Sequence, residues 1–130
     1  MIIAIDFDGT IVRDKYPEIG EIKDGAKEAI NQLYADGYTI IIWSCRTGID
    51  KARAIEWLVK QGIKFHYFNE SCKWNVALYG GVDTRKVFAD IYVDDRGLLA
   101  PLPHWDEIYW MVIDRIPIKR EDKVIREGHL

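Results

Sequence analysis

Two acidic pairs carry the chemistry this chain can offer: Asp6-Phe7-Asp8, followed by Gly9, and Asp94-Asp95. Each comes directly after an apolar run. Carboxylates gathered on one rim repel, and two of them about 4 Å apart cost roughly 4 kcal/mol at an effective dielectric near 20. A fold tolerates this when a cation fills the gap. All-oxygen ligation selects a hard ion, of which Mg²⁺ is the usual one with few carboxylates and a phosphate. Asp6, Asp8, Asp94 and Asp95 are therefore candidate metal ligands. The Asp6–Asp8 spacing adds reactivity. The first carboxylate points into the rim, and the second reaches the same centre from another side. One can attack while the other shuttles a proton, as a two-step displacement requires. Gly9 permits a tight turn and leaves backbone N–H groups unshielded, which suits an oxyanion.

Ser44 offers a hydroxyl at the end of another apolar run, and the N–H groups of Cys45 and Arg46 follow it. Lys86 stands before the last apolar run and can neutralise phosphate charge. Arg46 and Arg96 flank these motifs and are candidates to touch an anionic substrate. Each of these residues alone is commonplace, and they gain weight from their company.

The elements that must position them follow from periodicity. Ile2–Phe7, Tyr38–Trp43, Ile63–Phe68 and Val87–Val93, the last starting at Val87 or near Ala89, read as buried strands. Asp24 is expected to cap a helix with Ala26, Ala29, Ile30, Leu33 and Tyr34 on one stripe, stopped by Gly37. A second helix starts at Asp50, turns Ala54, Ile55, Leu58 and Val59 inward, and ends at Gly62. A third runs from Trp105 to Ile116 before Pro117. Residues 10–23 read as a loop or small hairpin, and residues 69–85 as a loop with about one helical turn. The charged tail, Lys119 to Leu130, reads as peripheral. Alternating strands and helices with short connections predict an α/β fold, a three-layer, Rossmann-like parallel sheet flanked by helices. Ligands in such sheets sit beyond the carboxyl ends of the strands, where the motifs above fall together.

Composition narrows the classes. The 130 residues suit a single domain, and 48% hydrophobic content can fill its core. Eighteen basic and 21 acidic residues give a net charge of −3, which disfavours nucleic acid as a partner. No apolar run approaches the roughly 20 residues of a spanning helix, and no leader is visible, so a cytoplasmic protein without a membrane partner is expected. Cys45 and Cys72 form no C-x-x-C pair. There is no phosphate-loop motif. Pro17 stands where a calcium loop needs its glutamate, and His66, His104 and His129 lack zinc spacing. A two-carboxylate glycosidase would leave Asp94-Asp95 and Lys86 without a role.

The run Asp6-Phe7-Asp8-Gly9-Thr10, then Ser44, Lys86 and Asp94-Asp95, resembles the haloacid dehalogenase (HAD) superfamily in order and placement, from Met1 to about Arg96. The resemblance implies a Mg²⁺-dependent phosphatase. Asp6 would be the nucleophile that becomes an aspartyl-phosphate, and Asp8 the general acid and base. Mg²⁺ would be held by the Asp6 carboxylate, the Asp8 backbone carbonyl and Asp94, with Asp95 assisting directly or through water. Ser44 and Lys86 would bind phosphoryl oxygens, Lys86 also positioning Asp6, and Thr10 would support the turn. Both windows where family members insert a cap are short here, so the resemblance implies a capless member. Its open rim would admit a phosphorylated small molecule or a larger substrate, or be closed by a neighbouring subunit of a homo-oligomer. Trp74, Asn75, Tyr79, His104 and Trp105 are candidates for that rim. The alternatives are a receiver-like phosphoacceptor domain, which the third strand's Phe68-Asn69 ending fits poorly, and a non-catalytic HAD-like interaction module.

Overall fold

The computed structural model describes residues 1–118. Its centre is a parallel sheet of β1 (Ile2–Ile5), β2 (Thr39–Ile42), β3 (Tyr67–Phe68) and β4 (Ile91–Val93), in the order β3-β2-β1-β4. Every residue of β1 and β2 is buried, as expected of strands covered on both faces. The helices are α1 (Ala26–Asp36), α2 (Gly48–Gln61), α3 (Lys73–Leu78) and α4 (Trp105–Arg115). The layering follows from right-handed crossovers. The steps from β1 to β2 and from β2 to β3 run one way, so α1 and α2 cover the same face. The return to β4 crosses to the other side of β1 and takes α3 to the opposite face.

The two faces have separate cores. Ile3, Ile5, Ile40, Ile42, Phe68 and Val93 pack beneath α1, α2 and α4. Ile2, Ala4 and Ile41 face Cys72, Val87 and Ala89. The expected three-layer α/β architecture is thus present. Among the described residues, no helix is long and apolar enough to cross a membrane.

Several boundaries differ from the sequence reading, each for a local reason. β3 is two residues rather than six, because the Nδ1 of His66 accepts the Ile40 N–H at 3.0 Å in place of a ladder carbonyl. β4 begins at Ile91 rather than at Val87 or near Ala89, because the Asp90 carboxylate takes the Ile2 N–H. Gly25, with φ 79°, occupies the N-cap of α1 in place of Asp24. α2 starts two residues before Asp50, and Val59 is 66% exposed rather than inward. Residues 10–23 fold back as a small hairpin, with Arg13 N bonded to Glu21 O and Lys23 N to Ile11 O. The tail expected from Lys119 onward lies outside the described residues.

Candidate active site

Register places the acids. Ile5 is level with Ile42 on one side and with Val93 on the other, so Asp6 and Asp94 leave neighbouring strands at the same height. The Asp6 N–H bonds to Val93 O at 2.9 Å and keeps the two strand ends together past the ladder. One carboxylate oxygen from each of Asp6, Asp94 and Asp95 lies within 4.8 Å of the others. Among the described residues, no lysine or arginine forms an ion pair with any of the three.

Thr10 braces this trio from below. It is fully buried, and its hydroxyl lies 3.0 Å from Asp6 Oδ2 and 3.3 Å from Asp95 Oδ1. The same oxygen accepts the Asp95 N–H at 3.1 Å. Its carbonyl accepts the indole N–H of Trp105 at 3.0 Å, which ties the turn to α4. Gly9 sits at φ 85° against the Asp95 carboxylate, and a Cβ built there would collide with it. Glycine is thus required for both conformation and space.

The electrostatics follow from this crowding. Asp6 is pushed up to about 8 from a carboxyl's ordinary 3.8. Burial is the largest cause, followed by its hydrogen bond with Asp95 and the charge of Asp94; the Thr10 hydroxyl works the other way. Such a cluster holds a proton or a cation. Its donors are all carboxylate oxygens, which fits a hard divalent ion.

Asp8 departs from the trio. Its carboxylate turns to Arg46, whose Nε and Nη2 donate to its two oxygens at 2.8 Å each. The four-carboxylate cluster expected from the sequence is therefore three carboxylates plus an ion pair. Arg46 is 1% exposed, and its remaining donors go to backbone carbonyls, so its side chain is not the phosphate contact expected of it. The Gly9 N–H is also committed, to Val12 O at 2.8 Å, and is not available to an oxyanion.

The loop after β2 is better prepared. Ser44 N donates to Asn69 Oδ1 at 2.8 Å, and Arg46 N donates to Ser44 Oγ at 3.1 Å. Asn69 Nδ2 closes the frame with a 3.3 Å bond to Arg46 O. Among the described residues, this leaves the Ser44 hydroxyl proton and the N–H of exposed Cys45 without a protein acceptor. Asn69 was missed as a site residue. It stands at φ 59° after β3, and an asparagine just past an apolar run was the available signal.

Lys86 is exposed, with its ammonium 5.0 Å from the centroid of the Tyr92 ring. Among the described residues it forms no ion pair with Asp6. Arg96 reaches outward to Asp14 at 4.0 Å. Of the candidate rim, Tyr79 and His104 are exposed, whereas Trp74, Asn75 and Trp105 pack inward.

No protein family description and no curated protein matches the chain. Among solved structures, a conserved protein from Bacteroides thetaiotaomicron is similar, with 35% identity over 95% of this chain and 96% of the other, and a TM-score of 0.78. That identity over nearly the whole of both chains places this chain in the same family as the conserved Bacteroides protein.

Proposed function

We propose that this protein is a Mg²⁺-dependent phosphatase of the HAD type, hydrolysing phosphate monoesters through an aspartyl-phosphate on Asp6. One observation carries the reading: Asp6, Asp94 and Asp95 converge at the ends of β1 and β4, and among the described residues no lysine or arginine pairs with them. The three carboxylates would hold Mg²⁺, which, when bound, supplies charge neutralisation for them and for a phosphoryl oxygen. Asp6 needs its ionised form to attack, and a neighbouring dication favours that form against the burial that opposes it.

Asp6 attacks phosphorus while the bond to the ester oxygen breaks, and Asp8, which enters the cycle carrying a proton on an oxygen lone pair that the Arg46 fork leaves open, gives that proton to the ester oxygen. Asp8 then takes a proton from water. The resulting hydroxide displaces Asp6 from phosphorus and releases inorganic phosphate, returning both aspartates to their starting forms. The Ser44 hydroxyl and Cys45 N–H face the task of binding phosphoryl oxygens, and Lys86 joins them by swinging off the Tyr92 ring on its four-carbon stem. Leu98 and Leu99, just past Asp95, are 98% and 92% exposed, consistent with a rim open to a small phosphorylated metabolite or a larger substrate.

A phosphate-release screen over phosphorylated metabolites, run with Mg²⁺ and with EDTA, tests this. Turnover is expected with Mg²⁺ alone and is expected to vanish in Asp6→Asn. Activity that survives EDTA or the Asp6 substitution overturns the assignment.

A further inference from the structure

Arg46 is the bulkiest fully buried side chain among the described residues. Burying a guanidinium is costly, and an apolar replacement for a buried ion pair is often neutral or stabilising, so its presence calls for a reason beyond stability. All five of its N–H donors are used. Two grip the Asp8 carboxylate as a fork, Nε to Oδ2 and Nη2 to Oδ1 at 2.8 Å each. The others reach Pro17 O at 3.0 Å, Glu18 O at 3.0 Å and Asp50 O at 3.4 Å. The Phe7 and Tyr16 rings lie on the guanidinium at 5.4 and 5.1 Å. One side chain thus joins the turn after β1, the 14–18 loop and the start of α2.

A monodentate partner would leave a carboxylate free to rotate about its last bond. The two-point fork fixes its plane. We propose that Arg46 is the positioning residue for Asp8, holding that carboxylate in one orientation two residues from Asp6 and coupling the orientation to the 14–18 loop. The proposal rests on the phosphatase reading, in which Asp8 serves the leaving oxygen. Lysine cannot replace arginine in this role, since its single ammonium offers no fork.

The test is kinetic, with Mg²⁺ and a series of aryl and alkyl phosphates of graded leaving-group basicity. Arg46→Lys is expected to lower kcat about 10- to 100-fold for the poorest leaving groups and severalfold or less for the best, with KM little changed, because only poor leaving groups need the proton. In an Asp8→Asn background the same substitution should cost nothing further. Tyr16→Ala, which loosens Arg46 at a half-exposed ring without touching a site carboxylate, should give a weaker form of the same leaving-group bias and covers the case where Arg46→Lys does not fold. A uniform loss across leaving groups, additive with Asp8→Asn, makes Arg46 merely structural and overturns the proposal alone. A rise in KM with kcat intact makes it a substrate contact and also overturns it. A wild type silent toward every ester overturns the phosphatase reading and this inference with it.

Discussion

Replacing Asp94 by asparagine should stabilise the metal-free protein while removing its response to Mg²⁺. Asp94 shares a space within 4.8 Å with Asp6 and Asp95. At an effective dielectric near 20, each ionised pair at that distance costs about 3.5 kcal/mol, and water reaching these partly exposed groups reduces the realised gain to about 1–3 kcal/mol. Asparagine keeps the oxygen that accepts the Arg96 N–H at 2.9 Å, so the local turn survives. The gain depends on pH. Below about 8 Asp6 retains its proton, and Asp94 then faces one ionised neighbour rather than two. The stabilisation should therefore be larger at pH 9 than at pH 6. Urea unfolding in EDTA reads it directly: with a slope of about 1–3 kcal/mol per molar, the midpoint moves up by roughly 1 M. Mg²⁺ at about 100 times its dissociation constant should add about 2.7 kcal/mol to the wild type and far less to the variant. A metal-free Asp94→Asn protein less stable than wild type at pH 9, or equal Mg²⁺ stabilisation of both, would refute the shared-cation argument.

Wild-type stability in EDTA should fall as pH rises from about 4 to about 8, because the folded state holds the Asp6 proton more tightly than the unfolded chain; Mg²⁺ should flatten that slope in chemical unfolding series. Asp8→Asn should suppress phosphate release by orders of magnitude and leave phosphoenzyme on Asp6, detectable by intact mass after acid quench. Thr10→Val should cost about 1–3 kcal/mol and weaken Mg²⁺ binding, since it leaves the part-buried Asp95 N–H without its acceptor at 3.1 Å; thermal melts and metal titration check both. Gly9→Ala should abolish Mg²⁺ binding by displacing the Asp95 carboxylate, read by calorimetry.

The element order and the acidic strand ends were legible in the chain. Continuous apolar runs such as Ile40–Trp43 announced strands covered on both faces, and the Ala26–Leu33 stripe announced a helix over them. Those patterns are local, set by side-chain periods of two and 3.6. They also put Asp6 and Asp94 on one rim, because a parallel sheet sends all its carboxyl ends the same way. What the chain could not reveal is which carboxylate faces which partner. Asp8 pairs with Arg46 across 38 positions, Thr10 meets Asp95 across 85, and Asn69 orders the Ser44 loop across 25. His66 and Asp90 shorten two strands by offering side-chain acceptors to backbone donors that a local pattern assigns to the ladder. Residue type sets what a group can bond, and only packing brings one acceptor rather than another within 3 Å. The sequence determined the fold's order and the chemical repertoire of its rim; the tertiary structure sorted four acids into a trio that can share a cation and a single one gripped by a buried arginine.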